Sequence, residues 1–347
     1  MRPIDAIQIP EVLSYVRART PRRLLGASLF PARDISSLEW KAIIGADRAP
    51  VAAKVVAFDN EASIHSREGV ELQRGKIPAI KRKISLDEET MQKLYSPRPS
   101  TSEFEDAIRE IYADVEKMIV AVETRLEMFR FEALTTGQVN INEDGVIQQV
   151  QYGFRPANQA ETLAGNDRWS ESATCSPIAD IQRWRDAIMD LGGVEPARAL
   201  TSSAQLNNIL RSDEVSALVH GVVGTGLPVT NTQLNSLLVS MGLPQIATYD
   251  DRYRIQNENG TYTQARYLAN NRFILMPGQA LGEQLYSPTV EALRKVRDGV
   301  INYGDARRIY AEVWEENEPP AHWTKAAALS FPTFPLVDSI FVATVAD

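Results

Sequence analysis

The chain has 347 residues, of which 44% are hydrophobic and 24% charged, and its formal net charge is −8. This composition is typical of a globular protein of roughly two domains, and it excludes the disordered and membrane-spanning classes. The acidic balance argues against a dedicated nucleic-acid-binding protein, because phosphate contacts need a basic face, and the single cysteine excludes a disulfide framework.

Residues 1–86 are not expected to form a hydrophobic core of their own. Residues 1–33 mix short apolar pieces, prolines and RARTPRR, which predicts an arm lying on other structure; no secretory signal pattern is present. Residues 38–86 have strand patterns rich in charged residues. They predict an extended two-stranded segment, which would be only marginally stable by itself. Its basic cluster is either a solvated strand face or a subunit contact, and consists of Arg74, Lys76, Lys81, Arg82 and Lys83.

A long amphipathic helix is the clearest predicted element. Ser102 and Glu105 predict a capping box, with Thr101 as an alternative cap, and Gly137 predicts the C-terminal stop. Apolar residues recur in steps of four and three at Phe104, Ile108, Ile111, Val115, Met118, Val122, Leu126, Phe129 and Ala133. Charged residues fill the positions assigned to the outer face: Glu103, Asp106, Arg109, Glu110, Asp114, Lys117, Glu123, Arg125, Glu127 and Arg130. Such a helix spans about 50 Å, and no second heptad segment supports a coiled coil.

Beyond the helix, the pattern predicts a hairpin at 138–152 turning at Asp144-Gly145, and then a polar loop. A compact α+β unit follows, with helices over 177–191, 204–219 and 231–242, strands over 198–202, 245–249 and 272–278, and a hairpin turning at Asn259-Gly260. The tail contains a helix-like segment at 287–296 and final strands. Those strands are predicted to return to the 138–152 hairpin.

No pattern of residues in the sequence indicates a catalytic site more strongly than chance occurrence would. The three histidines, His65, His220 and His322, lack metal-ligand spacing. Cys175, His220 and Asp180 form a conceivable nucleophile set, but a structural cysteine is the favoured interpretation.

The glycine-rich stretch HGVVGTG at 220–226 lacks the phosphate-loop order, so a flexible glycine loop is favoured. The adjacent carboxylates Asp250-Asp251 and Glu315-Glu316 are expected in solvated segments. The sequence therefore predicts no enzyme, no cofactor and no metal site.

Five stretches in a fixed order carry a family resemblance: LFPARDISSLEWKAIIG, GKIPAIKRKISLDEETMQKL, ALTTGQVNINEDG, YRIQNENGTYTQARYLANNRFILMPG and SFPTFPLVDSIFVATVAD. In this order the chain resembles the lambda-type (E family) major capsid proteins of tailed phages. The resemblance implies an α+β fold of the Hong Kong ninety-seven type. Its implied parts are an N-terminal arm (1–37), an extended β-loop (38–95), a peripheral domain with a spine helix (96–152), an axial domain (153–299) and a return to the peripheral domain (300–347).

The resemblance also implies a function. The protein would assemble with itself into hexamers and pentamers, forming a shell around packaged double-stranded DNA that is not bound sequence-specifically. Separate scaffolding, portal and decoration proteins are expected partners, assembly would take place in the host cytoplasm and the product would be a virion; no membrane is involved. Subunit-interface candidates are the five basic residues above with His220, Gly224 and Gly226. The alternatives are a cargo-storing bacterial nanocompartment of the same fold and, remotely, a soluble hydrolase.

Overall fold

The computed structural model describes residues 24–44, 71–86, 88–95, 101–143, 145–191, 193–222, 226–257, 259–297, 304–306, 308–318 and 320–347. The chain divides into two compact units. Unit 1 contains Met1–Trp40, Gly75–Arg130 and Gln284–Pro332, and unit 2 contains Lys41–Arg74, Phe131–Glu283 and Thr333–Asp347. Most of the predicted arm lies outside the described residues.

Unit 1 is built on a six-stranded sheet. Its members are β1 (Ala32–Asp34), β4 (Ala79–Ser85), β13 (Gln284–Ser287), β14 (Gly304–Ala306), β15 (Ile309–Asn317) and β16 (Pro320–Pro332). The strand β16 pairs antiparallel with β15 along one edge, and along the other with β4 and then β13. The short β1 is parallel to β13. The strands β2 (Glu39–Ile44) and β3 (Glu71–Lys76) form a separate pair.

The helices that begin in unit 1 are α1 (Gly26–Leu29), α2 (Glu88–Tyr95), α3 (Thr101–Thr136) and, late in the chain, α9 (Val290–Arg297). The long helix α3 confirms the predicted element, although it begins at Thr101, so that Ser102 lies inside it. Gly137 has φ +68° and ends it as predicted. The side chains of Phe104 and Ile108 lie outside the described set, and the predicted apolar residues from Ile111 to Ala133 are buried.

The apolar side of α3 and the sheet form the core of unit 1. Six helix residues pack with small and branched residues of β15 and β16, and the cluster includes Ile111, Val115, Met118, Ile119, Val122, Leu126, Ile309, Ala311, Val313, Ala326 and Ala328. The alanines of β16 let the helix approach closely. Each large side chain fully buried in this way contributes about 1.5–3 kcal/mol.

Three charged residues assigned to the outer face of α3 are in fact buried: Asp114, Glu127 and Arg130. That part of the prediction is wrong. Glu127 and Arg130 are buried because the C-terminal part of the helix is covered on a second side by α1 and β13, and Asp114 pairs with Lys117 of the same helix. The Glu127 carboxylate accepts the Gly26 N–H at 2.8 Å. The Arg130 guanidinium donates to Gln284 Oε1 at 2.9 Å.

Unit 2 has a five-stranded sheet in the spatial order β7, β17, β12, β8, β9. The strands are β7 (Ala160–Thr162), β8 (Pro196–Thr201), β9 (Ile246–Thr248), β12 (Arg272–Pro277) and β17 (Phe341–Thr344). Its helices are α4 (Pro156–Gln159), α5 (Pro177–Asp190), α6 (Ser203–Arg211), α7 (Asp213–His220) and α8 (Asn231–Ser240). Trp169 and Trp184 pack against Phe273 with ring centroids 5.0 and 5.7 Å away, at the centre of the core.

Two hairpins also belong to unit 2, and both were predicted. The hairpin of β5 (Gln138–Glu143) and β6 (Val146–Gln151) turns at Gly145, and the hairpin of β10 (Arg252–Gln256) and β11 (Tyr262–Arg266) turns at Gly260. Both glycines have the positive φ that such turns require.

Two predicted arrangements are wrong. The final strands do not return to the 138–152 hairpin, since β16 joins the sheet of unit 1 and β17 pairs with β12 and β7. The helix predicted over 204–219 is two helices separated by Ser212. That residue has extended dihedral angles, and its hydroxyl accepts the Val215 N–H to cap the second helix.

Candidate functional site

The basic cluster lies on two strands. Arg74 and Lys76 belong to β3, Lys81, Arg82 and Lys83 belong to β4, and all five are exposed. Lys81, Arg82 and Lys83 are consecutive, so their side chains point alternately to the two faces of β4. The structure therefore distributes the cluster over two different sheets.

One lysine of β4 and one lysine of β16 share an ionic partner within the chain. Lys81 Nζ lies 2.6 Å from Glu291 on α9, and Lys325 Nζ lies 2.7 Å from the same carboxylate oxygen. Burial acts to raise the pKa of Glu291, but the hydrogen bonds from Lys325 and Lys81 outweigh it and lower the pKa to about 2. Glu291 thus ties α9 to β4 and β16.

Lys83 and Arg82 differ in their surroundings. Lys83 Nζ lies 4.4 Å from the ring centroid of Trp323, a cation–π arrangement. Arg82 is exposed and forms no ion pair with the part of the chain that the structure describes. Of the three basic residues on β4, Arg82 is therefore the one whose charge can bind another molecule with the smallest loss of interactions within the subunit.

The second predicted surface is the segment that joins α7 to α8. His220 ends α7 and is exposed, Gly221 and Gly226 have φ values of +81° and +87°, and Gly224 lies outside the described residues. A Cβ at Gly221 or Gly226 would meet no atom within 4 Å. These glycines are needed for backbone conformation and not for close packing within the subunit.

The exposed apolar side chains in and beside this segment were not predicted from the sequence. Leu218, Val222 and Leu227 are exposed, Val222 by 84% of its surface. The Ser216 hydroxyl donates to the Leu227 carbonyl at 3.0 Å and holds the returning chain against α7. We call the exposed side chains of Leu218, Val222 and Leu227 the apolar tip.

Two residues of the conceivable nucleophile set, Cys175 and Asp180, have structural surroundings. Burial, followed by the negative charge of Glu214, raises the pKa of the Cys175 thiol to about 11, so it stays protonated at neutral pH. Asp180 accepts the Trp169 indole N–H at 3.0 Å and pairs with Arg183 at 2.9 Å. Neither group has the properties of an activated nucleophile or its base.

The adjacent carboxylates are likewise engaged where the structure describes them. Asp250 accepts from Ser203 and from Arg266, and Glu316 accepts the Trp323 indole N–H at 2.8 Å. Among the described residues no group of three His, Cys, Asp or Glu side chains is arranged to hold a metal ion. None of the helices in the described ranges is both long and apolar enough to cross a membrane.

A groove of about 550 Å³ lies beside β7 in unit 2. Trp184 and Phe341 stack with a 16° interplanar angle at its base, and Glu161 accepts from both Arg183 and the Trp184 indole. The Glu161 carboxylate in this groove is therefore already bound by two donors of the subunit.

Two solved structures with this fold come from phage-related proteins. A crystal structure of a candidate prophage capsid protein from Escherichia coli CFT073 superposes with a TM-score of 0.63 at 15% identity, covering 98% of this chain and 99% of that one. A crystal structure of a phage-related protein from Bordetella bronchiseptica RB50 gives a TM-score of 0.57 at 13% identity, covering 98% of both chains. At these identities the likeness shows the fold, which is the α+β capsid fold that the resemblance implied.

Family membership rests on the sequence itself. None of the curated protein sequences matches the chain significantly. The profile of the family described as phage major capsid protein E, however, matches residues 11–345, which is nearly the whole chain. The chain therefore belongs to the phage major capsid protein E family.

Proposed function

We propose that this capsid protein assembles with itself as hexamers and pentamers into a closed icosahedral shell around packaged double-stranded DNA. The match of the family profile over residues 11–345 carries the proposal. A major capsid protein is the repeating subunit of a virion shell, and head-to-tail interfaces between identical subunits generate rings when the rotation between neighbours closes. The protein acts as a structural subunit and not as an enzyme, in keeping with the raised pKa of Cys175.

The same proposal divides the chain into functional parts. Residues 1–37 form an arm, 38–95 an extended loop, 96–152 a peripheral domain on the spine helix, 153–299 an axial domain and 300–347 the return to the peripheral domain. Helix α3 and the sheet of unit 1 support this division, because a 36-residue helix packed along a sheet stiffens a wall. Separate scaffolding, portal and decoration proteins complete the assembly pathway in the host cytoplasm.

Two surfaces are proposed to contact neighbouring subunits. The first is the basic cluster, in which Arg74 and Arg82 supply exposed charge on β3 and β4. The second is the apolar tip with His220, Gly224 and Gly226, which is proposed to lie near the centre of the capsomer. Exposed apolar side chains at one loop are costly for an isolated subunit in water, and a subunit contact would remove that cost.

The test is light scattering on the purified full chain, with negative-stain microscopy of the heaviest fraction. Closed particles, or rings of five and six subunits, are expected. A monomer that never assembles, even with the neighbouring phage proteins co-expressed, would contradict the proposal.

Variants then separate the two surfaces. Val222→Asp should leave a folded subunit that fails to form rings, whereas Val239→Asp, at an exposed apolar residue of α8 in the same unit, should assemble normally.

Arg74→Glu with Arg82→Glu should give folded subunits or capsomers that do not close. Arg109→Glu with Arg211→Glu is the charge-matched control, and equal assembly by the two double variants would remove the basic cluster from the contact.

A further inference from the structure

The hairpin β10–β11 has a face that the proposed subunit contacts do not use. Residues directly opposite each other in an antiparallel pair share one face of the ribbon. The register pairs Arg252 with Arg266, Arg254 with Gln264 and Gln256 with Tyr262. These six residues therefore form one surface, here called the arginine face.

The hairpin is fixed at its base. An isolated two-stranded hairpin is marginally stable in water. Here Tyr253 packs on Tyr267 with ring centroids 4.8 Å apart, and Phe131 stacks on Tyr249 at 4.7 Å with a 6° interplanar angle. Tyr249 and Tyr267 are themselves 6.2 Å apart, so an aromatic cluster anchors the ribbon.

The arginines of this face are not equivalent. Arg266 lies 2.5 Å from Asp250 and is neutralised within the subunit. Arg252 and Arg254 are exposed, and neither forms an ion pair with the residues that the structure describes. The Arg254 guanidinium lies 5.5 Å from the ring centroid of Tyr262, a cation–π arrangement that restrains the group. The result is a local positive surface in a chain of net charge −8.

We propose that the arginine face binds double-stranded DNA through its phosphate groups. This inference rests on the proposed function, since a shell around packaged DNA places the duplex within reach of its subunits. A two-stranded ribbon fits the major groove of B-form DNA, which is about 12 Å wide. Arginine, glutamine and tyrosine side chains all donate hydrogen bonds to phosphate oxygens, and such contacts carry no sequence information.

The contact is weak for each subunit. Two guanidinium groups neutralise about two phosphates, so the logarithm of the affinity should fall with the logarithm of salt concentration with a slope of about −2. Between 50 and 200 mM salt this corresponds to a loss of about tenfold. The acidic remainder of the chain opposes tighter binding, and many copies in a shell would act together.

Fluorescence anisotropy with a labelled duplex of about 20 base pairs and the purified full chain tests the proposal. Arg252→Gln with Arg254→Gln should bind about tenfold more weakly at 50 mM salt, with a salt slope closer to zero by about 2. The control Arg109→Gln with Arg211→Gln removes the same charge from exposed positions on α3 and α6 and should bind like the wild type. Circular dichroism should show unchanged melting for both variants, because the changed side chains are exposed.

Three results would overturn the inference. Equal weakening by the two double variants would assign binding to net charge, and no measurable wild-type binding at 50 mM salt would exclude the site. A polyglutamate peptide of the same charge that binds the arginine face more tightly than the duplex would identify an acidic protein segment as the partner. Scattering on the same samples separates this inference from the proposed function, because particles that form without DNA binding leave the shell intact.

Discussion

The Arg130 guanidinium donates to the Glu127 carboxylate at 3.0 Å inside unit 1, where the Glu127 side chain is fully buried and that of Arg130 is 6% exposed. Both groups have further partners, since Glu127 accepts the Gly26 N–H and Arg130 donates to Gln284. Gln284 in turn donates to the Ser330 hydroxyl at 2.8 Å. One ion pair on the long helix therefore connects α1, β13 and β16.

Removing one member of this pair should destabilise unit 1 strongly. Arg130→Ala leaves the Glu127 carboxylate buried without its counter-ion, and such losses cost about 3–5 kcal/mol. The measurement is urea unfolding followed by circular dichroism. Arg109→Ala, which breaks the exposed pair with Asp106 on the same helix, is the control and should cost less than about 1 kcal/mol. Similar losses in the two variants would show that the buried network contributes little.

The Glu291 pair predicts a pH dependence. The pKa of Glu291 is about 2 when folded, against an ordinary value of 4.5. A lowered folded pKa means that the stabilisation is complete above the unfolded pKa and is lost as the pH falls from about 4.5 towards 2.

Glu291→Gln should therefore be less stable than wild type by about 1–3 kcal/mol at pH 7, with the difference shrinking below pH 4. Urea unfolding at a series of pH values measures it. Glu312→Gln, at a partly buried carboxylate of β15 in the same sheet, is the comparison variant. A Glu291→Gln difference that stays constant from pH 7 to pH 3 would contradict the assignment.

Two glycines that both have positive φ should respond differently to alanine. At Gly137, with φ +68°, an added Cβ would lie 2.0 Å from the Phe154 Cβ. At Gly145, with φ +77°, it would meet no atom within 4 Å. Gly145→Ala should cost about 1 kcal/mol of backbone strain, and Gly137→Ala should cost about 3 kcal/mol or more because steric overlap is added. Thermal unfolding compares them, and equal costs would refute the packing argument.

Cys175 should be unreactive in the native protein. With its pKa raised to about 11 and its side chain buried, almost no thiolate is present at pH 7. Iodoacetamide should label it only after unfolding in urea, and Cys175→Ala should assemble like the wild type. Rapid native labelling, or lost assembly in Cys175→Ala without lost stability, would reopen the possibility of a functional thiol.

Local patterns predicted the parts of the fold that depend on near neighbours in sequence. The apolar spacing from Ile111 to Ala133 and the stop at Gly137 identified the long helix, and Asn259-Gly260 identified a hairpin. Glu127 and Arg130 could not be placed, because helical periodicity assigns any charge outside the apolar stripe to solvent. Their burial depends on Gly26 and Gln284, which lie far away in the sequence.

The pairing of the strands could not be predicted from the sequence either. The pairing of β4 with β16 joins residues such as Lys83 and Lys325, and no short-range signal specifies it. For the candidate contact surfaces, the glycines and the basic residues were visible in the sequence, whereas the apolar tip and the arginine face were not. Their exposure follows from tertiary packing, which alternation alone does not determine.

The position of β16 has a consequence for the order in which the protein can fold as it is made. Chains emerge from the ribosome N-terminus first, and β1, β4 and the long helix are complete long before residues 320–332 are synthesised. Until β16 arrives, β4 has no sheet partner among the described strands, and β13 and β15 are not joined into one sheet. Translation itself thus delays completion of unit 1, so that unfinished chains cannot present a finished wall to neighbouring subunits.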